Sequence, residues 1–277
     1  MSFHAPTQLT EALDLAAAGA GVVVAGGTDV YPALRQGQRP DAFVDITRIE
    51  GLRGITHTAE GIRIGAATTW TDLIRAELPP AFDALKQAAR EVGSVQIQNA
   101  GTLAGNLCNA SPAADGVPPL LVLDAQVELT SAARGTRVLP LSAFITGVRQ
   151  TARAGDELVT GVLVPAPLQT ATSAFEKLGS RRYLVISIAM TAALIDCDGA
   201  GKITMARVAV GACSAVAQRL QGLEATLIGQ DAHDPQISEE TLNVLTPISD
   251  VRGSAAYRSD VAAVQIARAI RRAAGHE

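Results

Sequence analysis

Residues 96–115 read QIQNAGTLAGNLCNASPAAD, a run in which small and amide side chains dominate and no amphipathic period is sustained. Such a run buries little apolar area, so it adds little to a hydrophobic core. Something other than packing must account for its composition, and loop residues of this kind commonly carry function. The rest of the chain supplies the core, which a composition of 48% hydrophobic and 18% charged residues allows.

A shorter glycine segment lies near the N-terminus, where Gly26 and Gly27 separate a predicted strand from a predicted helix. Glycine leaves the backbone N–H groups of such a turn free to point at an anion, and Thr28 adds a hydroxyl donor. A tight turn without a ligand explains the same residues. The segment alone leaves both interpretations open.

Residues 101–106, GTLAGN, repeat these ingredients: small residues, a hydroxyl and an amide. Two such loops in one domain would bracket a pyrophosphate from both sides, as a dinucleotide requires. The polar residues up to Asp115 would then contact a ribose or a flavin edge. The spacing differs from GxGxxG, so the sequence does not indicate a Rossmann site.

The other segments predict helices and strands in mixed order. The predicted helices are one that Thr7 caps and Gly19 ends, one capped by Thr28 or Asp29 that closes at Gly37, and others near 82–92, 216–228 and 259–273. The predicted strands are 22–25, 42–46, 55–58, 62–64, 126–130, 137–139, 157–164, 189–195 and 202–210. The prolines at 165 and 167 mark a candidate domain boundary.

Residues able to perform chemistry unaided are scarce. The three cysteines are far apart and predict small core residues, with neither a disulfide framework nor an iron–sulfur cluster, and the four histidines predict no metal site. A net charge of −4 and 3% aromatic residues exclude a nucleic-acid platform, and no apolar run reaches the length of a membrane span. A bound cofactor is therefore expected to carry the chemistry.

Together, the two glycine-containing segments resemble the FAD motifs of the flavoprotein subunits of molybdenum hydroxylases, such as xanthine dehydrogenase and carbon monoxide dehydrogenase. The first motif matches AGGTD at 25–29 with VDI at 44–46, and the second matches QNAGTLAGN at 98–106, continuing to Asp115. The similarity extends over essentially the whole chain, including DELV at 156–159 and KLGSRR at 177–182.

The resemblance implies an α+β fold. A two-lobed FAD-binding domain of the PCMH type would span 1–167, with lobes at about 1–53 and 54–167. A smaller α/β domain, of the carbon monoxide dehydrogenase flavoprotein C-terminal type, would follow at 168–277.

The resemblance also implies which residues hold a non-covalent FAD. Those of the motifs are Val23, Val24, Ala25, Gly26, Gly27, Thr28, Asp29, Val30, Thr102, Leu103, Ala104, Gly105 and Asn106. Asp115, Val159 and Lys177 match positions near the cofactor, and Tyr183 matches an aromatic beside the flavin ring in some relatives. By its chemistry, Lys177 would stabilise negative charge on reduced flavin, and a solvated strand lysine is the alternative.

The function implied is that of a cytoplasmic electron-transfer subunit with no catalytic acid or base of its own. A large partner would oxidise substrate at a molybdenum–pterin centre, and a small partner would pass the electrons through two [2Fe-2S] clusters to FAD. The acceptor would be NAD, a quinone or another compound, and the complex a dimer of heterotrimers.

The chain departs from the family pattern at two places. Ala104 stands where the second motif usually has a glycine, and an apolar run, 184–186, replaces an aspartate that often follows the paired arginines. A methyl group at Ala104 disfavours a positive φ, which keeps a FAD-free assembly scaffold open as an alternative. The other alternative is a stand-alone FAD-dependent oxidase, which would need a substrate pocket and a proton acceptor on this chain.

Overall fold

Three main β-sheets organise the chain in the computed structural model, which describes residues 2–35, 37, 39–166 and 170–275, except for the side chain of Arg35. The predicted domain boundary between 167 and 168 lies outside these described residues. Two sheets belong to the lobes that precede this point, and the third follows it.

The first lobe is a small parallel sheet with a helix in each crossover. Its elements are β1 (Ser2–His4), α1 (Leu9–Ala17), β2 (Val22–Val24), α2 (Val30–Arg35) and β3 (Ala42–Asp45). The strand order is β1-β3-β2, with Phe3 opposite Phe43 and Val23 opposite Val44. Parallel neighbours need long crossover connections, which α1 and α2 provide.

The second lobe combines an antiparallel sheet with a layer of short helices. Its helices are α3 (Trp70–Arg75), α4 (Asp83–Glu91), α5 (Val95–Ala100), α6 (Leu103–Asn109), α7 (Val117–Val122) and α8 (Leu141–Phe144). Its strands are β4 (Ile55–Thr58), β5 (Gly61–Gly65), β6 (Gln126–Ser131), β7 (Gly135–Pro140), the hairpin β8 (Ile145–Gly147) and β9 (Gln150–Thr151), and β10 (Glu157–Pro165). The main sheet has the order β4-β5-β10-β6-β7.

The C-terminal domain is an antiparallel sheet covered by helices. Its elements are β11 (Thr172–Leu178), β12 (Ala189–Cys197), β13 (Ile203–Gly211), β14 (Gln218–Arg219), α9 (Gln221–Leu227) and α10 (Ala255–Ala273). Side chains alternate along β12: Met190 and Leu194 join the core of the second lobe, whereas Ala193 and Ile195 pack in a separate core with α10. Both faces of β12 are therefore buried, and the C-terminal domain shares a core with the lobe before it.

Several elements differ from the sequence predictions. Helix α1 begins without the predicted cap from Thr7, since Gln8 occupies the N-cap and makes no side-chain hydrogen bond there. Strand β2 is an edge strand, so Val22 is exposed, although a buried strand was expected. Strand β1 was not predicted, and the helix expected near 216–228 is shortened because β14 pairs with β13.

Among the described helices, none combines the length and apolar character needed to cross a membrane.

Candidate functional site

The first glycine segment lies directly against the second. A Cβ atom on Gly26 would fall 1.8 Å from the carbonyl oxygen of Ala100, so only glycine permits this approach of two backbones. Gly27 has a φ of +67°, and a Cβ there would meet the Tyr31 ring at 2.3 Å. The glycines thus serve both the turn and the contact between the two lobes.

The second glycine segment is the start of helix α6, not the loop that its composition predicted. Thr102 is the N-cap, and its Oγ1 accepts a hydrogen bond from the Gly105 N–H at 3.0 Å. The Leu103 N–H donates to the carbonyl of Thr68 at 3.1 Å, which ties the helix start to the strand-to-helix connection of the second lobe. A run of small residues suits this position because the helix packs close to other backbone.

Ala104 fits this arrangement without backbone strain. It lies in the first turn of α6, it is buried, and it is absent from the described non-glycine residues with positive φ. The left-handed conformation that would have favoured glycine is not adopted here. Ala104 therefore does not support the alternative of a FAD-free scaffold.

Two adjoining cavities lie between the lobes on either side of the glycine segments. The first has a volume of about 420 Å³ and the second about 450 Å³. Both are lined by Val23, Ala25, Gly105 and Cys108, so the two cavities adjoin at these residues and are together termed the cleft. A cleft divided in this way suits an extended ligand with a charged centre and two larger ends.

Gly26 and Thr28 bring hydrogen-bond donors to the first cavity. Among the described residues, Gly26 and Thr28 make no hydrogen bond, although both line the cavity. Their N–H groups and the Thr28 hydroxyl are therefore available to a ligand with acceptor oxygens. Such a donor set fits the pyrophosphate of FAD.

Most of the residues expected to hold FAD line this cleft. Those on the first cavity are Val23, Ala25, Gly26, Gly27, Thr28, Asp29, Val30, Thr102, Gly105 and Asn106, and those on the second include Ala104 and Val159. Val24 and Leu103 are buried and line neither cavity. Tyr183 is 60% exposed beside the guanidinium of Arg182 and lines neither cavity.

Asp115 and Lys177 form an ion pair between the two domains. Lys177 Nζ lies 2.7 Å from Asp115 Oδ2, and the Ser187 hydroxyl donates to Asp115 Oδ1 at 2.6 Å. Burial raises the pKa of the Asp115 carboxyl, while Lys177 and Ser187 oppose that shift. Lys177 also lines a third cavity, of about 580 Å³, between α4 and the C-terminal domain. Its side chain is buried, in contrast to the alternative of a solvated lysine.

The structure adds cleft residues that sequence reasoning did not select. Trp70 and Ile97 line the first cavity, and Arg149 and Arg153 line the second. Trp70, Arg149 and Arg153 are far from the motifs along the chain, which left no local signal for a shared site, whereas Ile97 directly precedes the second motif. Cys108, expected in the core, opens into both cavities. The surrounding protein raises the pKa of its thiol to about 11, against the opposing charge of Arg153.

Two family models match the chain in succession. Residues 1–167 match the FAD binding domain in molybdopterin dehydrogenase, and residues 173–273 match the CO dehydrogenase flavoprotein C-terminal domain. Both regions follow the order that the sequence resemblance implied.

Individual relatives show the same similarity over nearly full length. The chain is 34% identical to the nicotinate dehydrogenase FAD-subunit of Eubacterium barkeri, over 89% of this chain and 84% of that one. It is also 34% identical to the xanthine dehydrogenase FAD-binding subunit of Escherichia coli O157:H7, over 93% and 90% of the two chains. A chain of the Cu,Mo-CO dehydrogenase crystal structure matches with a TM-score of 0.92 at 27% identity, covering 99% of this chain and 98% of that chain. These matches confirm the predicted fold class.

Proposed function

This chain belongs to the FAD-binding subunits of the molybdenum hydroxylase family, and we propose that it conducts electrons from the iron–sulfur clusters of a partner subunit through FAD to an acceptor. As a member of that family, it is part of an oxidoreductase and carries the FAD-binding domain. We propose the electron route, the electron acceptor and the roles of the individual residues.

The observation that carries the proposal is the cleft between the lobes, where donors at Gly26 and Thr28 bond to no other residue that the structure describes. These donors would hold the pyrophosphate, and the cavities on either side would take the two halves of the dinucleotide. Bound FAD supplies a carrier that accepts and releases electrons without an acid or base from the protein. The chain's own task is then to bind, orient and shield the cofactor.

The residues outside the motifs have separate proposed roles. Val159 is buried at the second cavity, where its apolar side chain would contact a ring of the cofactor. Asp115 and Lys177 would set the charge near the cofactor and hold the C-terminal domain in place. Tyr183 is assigned beside the flavin ring on the family resemblance alone, since its exposed side chain lines neither cavity.

The partners follow from what this chain lacks and what its relatives are called. Its three cysteines are too few for two [2Fe-2S] clusters, which we assign to a small subunit, with the molybdenum–pterin centre on a large one. The similar proteins are named as FAD subunits of dehydrogenases, which supports such a division of labour. The complex that we propose is a cytoplasmic dimer of heterotrimers with NAD, a quinone or another compound as acceptor.

A stand-alone oxidase finds less support in the cleft. The titratable side chains lining the two cavities are, among the described residues, Asp29, Cys108, Arg149 and Arg153. Asp29 accepts a hydrogen bond from Asn109, and the raised pKa of Cys108 keeps its thiol protonated at neutral pH. Neither is poised as the proton acceptor that an oxidase needs.

The test begins with the purified chain, reconstituted with FAD and freed of excess cofactor. A flavin absorption spectrum, with intact FAD released by heat, is the expected result. Co-expression with the two partner genes should then give a complex in which substrate bleaches the flavin. A chain that takes up no FAD contradicts the assignment. Turnover of a small alcohol or amine by the isolated holo-chain would favour the oxidase instead.

A further inference from the structure

Three side chains form a continuous polar link across the cleft. Asn109, at the end of α6, donates from Nδ2 to Asp29 Oδ1 at 2.9 Å. Its own Oδ1 accepts a hydrogen bond from Arg149 Nη1, which also donates to the Asn109 carbonyl at 3.2 Å. Asp29 follows the first glycine segment, and Arg149 lies in the turn between β8 and β9. Asp29 and Asn109 line the first cavity and Arg149 the second, so the link lies where the two cavities meet.

This link is also one of two places where described side chains of the two lobes hydrogen-bond to each other. The other is Arg53 with Asp72, close to where the chain passes from lobe to lobe. The bond between Asp29 and Asn109 joins residues 80 positions apart and lies at the cleft itself. Breaking it would loosen the lobes at the cleft and leave the Arg53 connection in place.

The backbone around Arg149 is fixed in an unusual conformation. Arg149 has a φ of +59° and Ala110, next to Asn109, has a φ of +45°. Residues other than glycine rarely adopt this left-handed backbone conformation. The Arg149 N–H donates to the Ala110 carbonyl at 2.9 Å, which joins the two strained positions. Such conformations persist where surrounding contacts over-determine them, and here they direct the guanidinium to Asn109.

Charge explains why a carboxylate is tolerated in this cleft. A pyrophosphate beside Thr28 would repel a free carboxylate at Asp29, because like charges at short range are unfavourable. The Asn109 amide holds that carboxylate, and Arg149 supplies a positive charge at the far end of the link. Asp29 is therefore suited to a structural contact and poorly suited to touching phosphate.

We propose that Asn109 is a positioning residue that links Asp29 to Arg149 and thereby holds the two lobes together over bound FAD. In this proposal Asp29, which the family resemblance assigned to the cofactor, serves the link and does not itself bind FAD. The inference rests on the proposed FAD site and adds to it a device that slows release of FAD.

The test compares Asn109→Asp with the double variant Asp29→Asn plus Asn109→Asp. The single variant places two carboxylates face to face, so the link should break. The double variant restores it, because the amide at position 29 donates to the carboxylate at position 109, which also pairs with Arg149. Asn243→Asp, which alters an exposed residue of the C-terminal domain, is a control for the added charge.

The measurement is the rate at which FAD-loaded full-length chain releases its cofactor on dilution, followed by the rise in flavin fluorescence. Asn109→Asp should release FAD about tenfold faster, and the double variant and Asn243→Asp should stay within about twofold of wild type. Melting of the FAD-free chain should be the same for the wild type and the double variant. Release from Asn109→Asp at the wild-type rate, or no recovery in the double variant, overturns the link while wild-type FAD binding preserves the proposed function. Failure of the wild type to bind FAD overturns both.

Discussion

Lys177 of β11 places Nζ 2.7 Å from Oδ2 of Asp115, which precedes α7 in the second lobe. The two residues are 62 positions apart, and both side chains are almost entirely removed from solvent. The Ser187 hydroxyl bonds the other carboxylate oxygen, so three segments of the chain meet at one carboxyl group. The pair joins the C-terminal domain to the FAD-binding domain by charge as well as by their shared apolar core.

Replacing Lys177 by methionine should destabilise the chain strongly. The change leaves the buried Asp115 carboxylate with Ser187 alone, and uncompensated buried charges of this kind cost about 3–5 kcal/mol in the free energy of unfolding. The double variant Lys177→Met plus Asp115→Leu removes both charges and should lose less than Lys177→Met alone. Urea unfolding at pH 7 measures the difference, and an equal or larger loss in the double variant would contradict the buried pair.

The deficit of Lys177→Met should also depend on pH. Burial raises the pKa of Asp115 above its value in an unfolded chain, so the folded state binds a proton more readily and gains stability as pH falls through that pKa. The variant lacks the lysine charge that opposes this shift. Its deficit relative to wild type should therefore shrink as the pH is lowered from 7. A deficit that stays constant as the pH is lowered would show that Asp115 is not the cause.

Gly26→Ala should lose both stability and FAD binding. Its added methyl would overlap the Ala100 carbonyl, and the overpacking should cost about 1–3 kcal/mol while it forces the two glycine segments apart. Gly222→Ala is the matched control, because a Cβ on Gly222 in α9 meets no atom within 4 Å. That variant should be slightly stabilised, because alanine has a higher helix propensity than glycine. Thermal unfolding and a FAD titration check both variants, and wild-type behaviour of Gly26→Ala would refute the close backbone contact.

Thr28→Val should weaken FAD binding without changing the stability of the FAD-free chain. The Thr28 hydroxyl has no partner among the described residues, so its loss breaks no hydrogen bond of the protein. Its loss as a donor to a charged phosphate should raise the Kd for FAD about tenfold, and Thr28→Ser should bind nearly as wild type. Fluorescence titration gives the Kd, and equal affinities for Thr28→Val and wild type would show that this hydroxyl does not contact the cofactor.

The Cys108 thiol should react slowly and with a steep pH dependence. Its pKa is raised to about 11, so the reactive thiolate fraction grows about tenfold per pH unit between about pH 8 and pH 10. Iodoacetamide labelling, located by peptide mass, should follow this slope in the FAD-free chain and be slower with FAD bound. Cys108→Ser identifies the modified residue. A rate that levels off near pH 8.5 would contradict the raised pKa, and labelling that FAD does not slow would contradict the placement of the thiol in the cleft.

Elements with a local signal were predicted well. The hairpin of β4 and β5 has alternating residues around a Glu60-Gly61 turn, and both strands form as expected. The apolar spacing near 82–92 predicted α4, and the strands at 189–195 and 202–210 form β12 and β13. In each case the pattern of apolar side chains repeats within a few residues, so it is visible directly in the sequence.

Elements that depend on distant partners were missed. Strand β1 has three residues and forms by pairing with β3, about forty positions along the chain. Most residues of 96–109 fold into α5 and α6, although the weak period of the run 96–115 had predicted a loop. Thr102 caps α6, and the start of α6 is anchored to Thr68, contacts that residue composition alone does not reveal.

The sequence by itself determined the family, the fold class and the two glycine segments, because short motifs and local periodicity can be recognised without knowledge of the packing. The tertiary structure decided how those segments meet: Gly26 against Ala100, Asp29 bound to Asn109, and Asp115 paired with Lys177. The two hydrogen-bonded pairs join residues 80 and 62 positions apart along the chain. The geometry of all three contacts depends on how the lobes and domains pack. Packing is a property of the whole chain, so no local pattern could display it.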